Sequence, residues 1–168
     1  MSSFNVNAGW VHRLWNGSYH FYTNSDYEAQ VLAAGGGWVI EALNYTYMFD
    51  QDDGSMVDLM RCYSTTQGMN IFTFNRAYGT QICALYGMQN LGSIGKMRVR
   101  NWEDYPIAGR GQPIYFMYRV IGRAPDGSNI SDTLITTNAY EASLACGRGW
   151  MPVVGASYRT CLAGYVVF

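Results

Sequence analysis

The chain is 168 residues long and carries a net charge of −1, with 49% of its residues hydrophobic and only 14% charged. That length suits one domain, and the balance excludes a disordered chain and a nucleic-acid binder, which needs a clustered cationic face; no stretch approaches the ~18 unbroken apolar residues of a membrane helix. Aromatic residues at 15%, together with 19 glycines, predict a β-rich, turn-rich fold.

Phe4-Asn5-Val6 is a candidate closing strand at the start of the chain. Val11–Trp15 and Tyr19–Thr23 are short, aromatic and β-branched, and the Asn16-Gly17 pair between them predicts a hairpin. A helix follows, with Asn24 or Ser25 as its N-cap, Tyr27, Val31 and Leu32 on one face, and Gly35-Gly36-Gly37 as its stop. A third strand runs from Trp38 through Tyr47, bent near Glu41-Ala42. The acidic stretch Asp50-Gln51-Asp52-Asp53-Gly54-Ser55 lacks the spacing of a calcium loop and reads as a solvated connection.

The same grammar then recurs twice. Leu59–Tyr63 and Ile71–Thr73 are strands, Asn75 precedes a helix through Ile82 and Leu85, and Gly87 stops it before Met88. Ile114–Tyr118 and Leu134–Thr137 are strands, Asn138 precedes a helix through Tyr140 and Leu144, Gly147 stops it, and Gly149-Trp150 opens the next strand. Tyr-Glu-Ala followed by Gly-Trp occurs in the first and third copies, and Thr23, Thr73 and Thr136 are equivalent. The third copy has the longest inner loop, Gly122 to Asn129. Gly164–Phe168 is a second candidate closing strand.

One such unit cannot bury its own apolar face, but three around an axis can. The expected fold is mainly β with three short helices: a single domain, residues 1–168, of three strand-strand-helix-strand repeats at about 8–50, 56–105 and 112–163. These form a propeller-like or barrel-like pseudo-three-fold ring sealed by the terminal strands, with a β-trefoil as the alternative. Trefoils have little helix, which counts against that alternative.

The string Arg-Leu-Trp-Asn-Gly, His-Phe-Tyr-Thr, Tyr-Glu-Ala, Gly-Trp-x-x-Glu at residues 13–41 resembles a tandem module of bacterial and fungal proteins. That module's signature is Arg-Leu-Tyr…His-Phe-Tyr-Thr…Gly-Trp-x-x-Glu-Gly, and it is largely of unknown function. The resemblance implies a non-catalytic appendage for glycan or cell-wall binding and transfers no catalytic residue. The chain departs from it where Ala42 replaces Gly, Asn70 takes the His20 place and Phe116 takes the Arg13 place.

Cys62, Cys83, Cys146 and Cys161 follow no metal or redox spacing and read as buried free thiols, with two disulfides as the alternative for a secreted form. The first residues show no secretory signal, so a cytoplasmic setting is expected. His12 and His20 lie near Glu41 in the expected unit, but they occur in one copy only, so catalysis, a metal and a cofactor are not expected. Arg13 and Arg61 recur at one position and suggest ion pairs with Glu41 or Glu28. Glu28 and Glu141 sit in first helical turns, where a helix dipole favours them.

Trp38 and Trp150 read as core. Trp15, Tyr63 and Tyr118 are equivalent aromatics beside turns carrying Asn16 and Arg119, and an exposed ring flanked by planar polar groups suits a sugar. The candidate glycan site is therefore Trp15, Asn16, Tyr19, His20, Tyr63, Tyr118 and Arg119. The expected function is a lectin-like protein with up to three related glycan sites, a cytoplasmic defence lectin being one setting. Its partners are glycans or glycoproteins, without nucleic acid or membrane insertion, and a homo-oligomer is compatible. The alternative is a protease inhibitor, or another protein-binding module, using loop 122–132.

Overall fold

A computed structural model describes residues 9–48, 56–75, 82–100, 105–107, 114–152 and Cys161. The elements run β1 (Gly9–Trp15), β2 (His20–Thr23), α1 (Asp26–Ala34), β3 (Val39–Met48), β4 (Met56–Ser64) and β5 (Met69–Asn75). They continue as α2 (Ile82–Leu85), β6 (Gln89–Arg100), β7 (Tyr105–Ile107), β8 (Tyr115–Arg123), β9 (Asn129–Thr136), α3 (Ala139–Cys146) and β10 (Met151–Pro152). The expected terminal strands and the acidic stretch 50–55 lie outside the described residues.

The fold is mainly β. Its strands form three antiparallel sheets, ordered β2-β1-β3, β5-β4-β6-β7 and β10-β8-β9. In each, the first strand of a contiguous stretch sits between the second and the one after the helix. Among the described residues no strand joins two sheets, so the barrel-like version of the expectation is not formed, since a closed barrel pairs every strand on both sides. A helix after the second strand of each stretch also departs from a helix-poor trefoil.

Register places the equivalent residues alike. Arg13 pairs with Tyr22, Arg61 with Phe72 and Phe116 with Ile135; Trp15 pairs with His20, Tyr63 with Asn70 and Tyr118 with Thr133. The β1–β3 register shifts on both sides of Arg13, and the β4–β6 register shifts between Met60 and Cys62, around Arg61. A bulge re-aims a side chain, and here it sits at the arginine in both sheets.

Helix ends follow the sequence chemistry. Ser25 caps α1 by accepting from the Glu28 N–H at 3.1 Å, and Asn138 caps α3 by accepting from Tyr140 and Glu141 at 2.9 and 3.1 Å. Of the three residues expected on one face of α1, Leu32 packs against the core and the other two do not. Tyr27 and Val31 are 80% and 50% exposed, whereas Ala29, Ala142 and Ala145 are buried. Small alanines let these short helices lie close to their sheets, while the tyrosine before each Tyr-Glu-Ala glutamate points outward.

Leu14, Phe21, Leu59, Phe72, Phe116 and Ile135 belong to one buried cluster fed by all three sheets. Phe72 meets Phe21 and Tyr22 edge-on at 5.6 and 5.1 Å, a favoured geometry for ring pairs. Trp150 is buried in a second cluster under α3 with Met117, and Trp38 packs half-buried against the first.

Two expectations are corrected. The cysteines are paired, Cys62 with Cys83 and Cys146 with Cys161, each with Cα atoms 5.5 Å apart. Cys62 lies on β4 where α2 crosses it, a meeting that linear spacing does not encode. The long loop of the third stretch is mostly ribbon: β8 and β9 stay paired to Arg123 and Asn129, and a tight turn closes Ala124 to Ser128. Alkylation under denaturing, non-reducing conditions should therefore find no free thiol. The double variant Cys62→Ala/Cys83→Ala should lose about 2–5 kcal/mol of stability; four alkylatable cysteines in the oxidised protein would overturn the pairing.

Candidate functional site

The β1 bulge turns Arg13 toward the third sheet, where its side chain is 5% exposed. Its Nε donates to Glu41 Oε1 at 2.7 Å, and its two terminal nitrogens donate to the two oxygens of Glu141 at 2.9 and 2.7 Å. A further N–H reaches the Ile135 carbonyl at 3.4 Å. The bidentate contact to Glu141 is the strongest geometry a guanidinium offers a carboxylate. Arg61 makes the matching reach, donating to both oxygens of Glu28 at 3.0 and 3.1 Å while lying 4.5 Å over the Phe21 ring. The Tyr-Glu-Ala glutamates thus join one stretch of chain to another, so a purely local helix-dipole role does not suffice.

His20 extends the network. Its Nδ1 is 2.7 Å from Asp132 Oδ2, its Nε2 is 3.1 Å from Glu41 Oε1, and its backbone N–H donates to Asp132 Oδ1 at 2.7 Å. Asp132 is wholly buried and also accepts from the Thr133 N–H at 2.8 Å. Burial alone would lower the His20 pKa. The hydrogen bonds and charges of Asp132 and Glu41 outweigh it and hold the pKa above the ordinary 6.5. Burial likewise acts to raise Glu41, but His20 and Arg13 hold it below the ordinary 4.5. His12 does not join them; it pairs with Asp26 at the start of α1.

A groove of about 370 Å³ opens over this network. Arg13, His20 and Glu41 form one wall, and Tyr140, Glu141, Arg148 and Trp150 belong to the other. Tyr140 is 72% exposed, and the Arg119 guanidinium lies 4.7 Å over the Trp150 ring. A second cavity, of about 670 Å³, lies where Gly17–Tyr19, Gln67–Met69 and Arg119–Gly122 meet. A third, of about 480 Å³, lies between the β8–β9 turn and the second sheet. No group of three or more His, Cys, Asp and Glu side chains among the described residues is placed to hold a metal.

Residues 10–159 match a family described as a domain of unknown function, DUF5648. The chain belongs to the DUF5648 family. No curated protein and no solved structure matches it.

In this DUF5648 chain the seven candidate glycan residues divide by location. Trp15 is half-buried and tilted against His20, with centroids 4.6 Å apart. The Asn16 side chain builds the turn, accepting from the N–H groups of Ser18 and Tyr19 at 2.9 and 2.8 Å while Gly17 takes a φ of 97°. Tyr19 stands edge-on to Trp38 at 5.5 Å and, with Arg119, lines the 670 Å³ cavity. His20 lines the 370 Å³ groove, but both of its ring nitrogens are engaged by carboxylates. Tyr63 and Tyr118 share the register position of Trp15, yet none of the three lines any of these cavities.

Sequence reasoning missed Asp132, Tyr140, Arg148 and Tyr86 as lining or network residues. The repeated tyrosine of Tyr-Glu-Ala was a usable signal for Tyr140. Asp132 has no counterpart in the other copies and lies 112 residues from His20, so nothing local marked it.

The pKa directions fix a pH window. The His20 contribution is full below pH 6.5 and is lost as pH rises through its higher folded value; that of Glu41 is full above pH 4.5 and is lost as pH falls through its lower folded value. The melting-temperature gap between wild type and His20→Gln should therefore be widest between those two values, and a gap independent of pH would contradict the charged network. Asp132→Ala, which takes one of its two carboxylate partners from the buried His20, should cost about 3–5 kcal/mol.

Proposed function

We propose that this protein is a non-catalytic, lectin-like carbohydrate-binding protein. Its three strand-strand-helix-strand units form a pseudo-three-fold ring, and its principal glycan site is the groove between the first and third units. Contacts around the molecule support the ring. Glu28 of the first unit holds Arg61 of the second, Glu141 of the third holds Arg13 of the first, and Asp126 and Ser128 of the third close a cavity on the second.

The observation that carries the glycan reading is the pairing of an outward tyrosine with immobilised planar polar groups in one groove. Tyr140 offers a ring face to the C–H side of a sugar. Glu41, Glu141 and Arg13 are fixed by one another, so little entropy is lost when hydroxyls bond to them. Arg148 is exposed and has no carboxylate partner among the described residues, which adds a donor for an acidic or hydroxylated substituent.

The same fixity supports binding over hydrolysis. Glycoside cleavage needs one carboxyl group kept protonated beside a second carboxylate. Glu41 and Glu141 both face Arg13, and Glu41 is pushed toward its ionised form. The His20 protons are committed to Asp132 and Glu41. Two disulfides favour an oxidising compartment over the cytosol, where thiols are kept reduced. We therefore place the glycan partner outside the cytosol.

On a glycan array, wild type should bind in a manner that a simple sugar competes away. Tyr140→Ala should weaken that binding about tenfold or more, worth about 1.4 kcal/mol, with an unchanged melting temperature because the side chain is 72% exposed. A blank array from folded wild type would sink the reading.

A further inference from the structure

The third unit's hairpin outgrows the other two. Past Tyr118 its strands stay paired, Val120 with Ser131 and Arg123 with Asn129, whereas the first two hairpins turn at Gly17 and Gly68. Two cavities lie along it. At its base Val120, Ile121 and Gly122 face the turns of the other two units across the 670 Å³ space. At its tip Asp126 and Ser128 close the 480 Å³ space against Ser64, Thr66, Thr73 and Tyr86 of the second unit. Gln67 lines both. The hairpin therefore reaches from its own unit across to the second, as a strap.

The chemistry beneath the tip is distinct from that of the first groove. Hydroxyls from Ser64, Thr66, Thr73 and Ser128 surround an apolar floor of Ile71 and Met88, and Tyr86, 70% exposed, stands beside them. Among the described residues no lysine or arginine lines this space, and the one charge they bring to it is Asp126. The Ser128 hydroxyl and N–H, at 2.6 and 3.0 Å, hold that carboxyl below its ordinary pKa. Gln67 Oε1 is buried without a hydrogen-bond partner among the described residues. Such an acceptor calls for a donor. A ring rich in hydroxyl or amide N–H groups supplies donors, and an acidic ligand meets Asp126 with no compensating cation among the described lining residues.

We infer that the strap encloses a second glycan subsite, formed by Gln67, Tyr86 and the Asp126–Ser128 turn, that takes neutral hydroxyl-rich sugars and rejects acidic ones. This rests on the carbohydrate-binding reading above. The test is an array carrying neutral hexose and N-acetylhexosamine oligomers beside uronic-acid oligomers, probed with wild type, Tyr86→Ala, Thr66→Val, Asp126→Asn and Tyr140→Ala. Tyr86→Ala and Thr66→Val should each lose about tenfold on neutral oligomers, at unchanged melting temperature. Asp126→Asn should gain signal on uronic-acid oligomers, and Tyr140→Ala should keep residual neutral binding. If Tyr140→Ala abolishes all binding while the strap-side variants match wild type, the subsite is wrong and the first groove stands. Wild-type binding confined to uronic-acid oligomers also overturns it, and a blank from folded wild type overturns both readings.

Discussion

Five side chains alternate in charge across the junction of the first and third units: Glu141, Arg13, Glu41, His20 and Asp132. Arg13 and His20 are almost without solvent, and Asp132 has none. Each member is affordable there only because its neighbours carry the opposite charge. Such buried chains add little net stability, since desolvation offsets much of the Coulomb gain. What they supply is a unique fit, because a shift of one sheet against the other would strand a charge. Tyr22 reinforces the same fit, donating to the Thr133 carbonyl and accepting from the Ile135 N–H, both at 2.8 Å. The groove above inherits its rigidity from this arrangement.

The other junctions answer the same constraint differently. Between the first two units Arg61 keeps the guanidinium–glutamate contact but adds the Phe21 ring beneath it. At the register position of both arginines the third unit carries Phe116, buried in the shared cluster. The second copy departs from the pattern too: no glutamate occurs between Asn75 and Gly87, where its helix lies. The Cys62–Cys83 bond fastens α2 to its own sheet.

Local chemistry was legible in the sequence and long-range chemistry was not. Ser25 and Asn138 announced helix starts through their side-chain oxygens, and Asn16-Gly17 announced its turn. The equivalence of Arg13, Arg61 and Phe116 could be read because strand register preserves order along the chain. Tyr27 and Val31 were grouped with Leu32 by hydrophobicity, but of the three Leu32 alone packs on the core, while close helix–sheet approach rewards the smallest residue, here Ala29 and Ala142. The disulfides, the Glu141 latch and Asp132 depend on which segments meet, and single residues carry no record of that. Trp15, Tyr63 and Tyr118 were grouped correctly by position, yet equivalence within separate sheets does not bring side chains to a shared cavity.

One register position differs in residue size among the three units. Phe21, Ile71 and Leu134 are equivalent in the three second strands, each facing the residue after the arginine position: Leu14, Cys62 and Met117. Leu134 lines the 370 Å³ groove and Ile71 the 480 Å³ cavity, whereas Phe21 lines none of the three spaces. Its ring carries the Arg61 guanidinium on its face. A third repeat of the binding architecture therefore does not imply a third binding site. The described contacts already differ in kind: an aromatic–guanidinium stack at Phe21, a charge-lined groove at Leu134 and a hydroxyl-lined space at Ile71. The proposed lectin would then bind through two unlike sites, with avidity coming from a glycan, or a glycosylated surface, that presents both kinds of determinant.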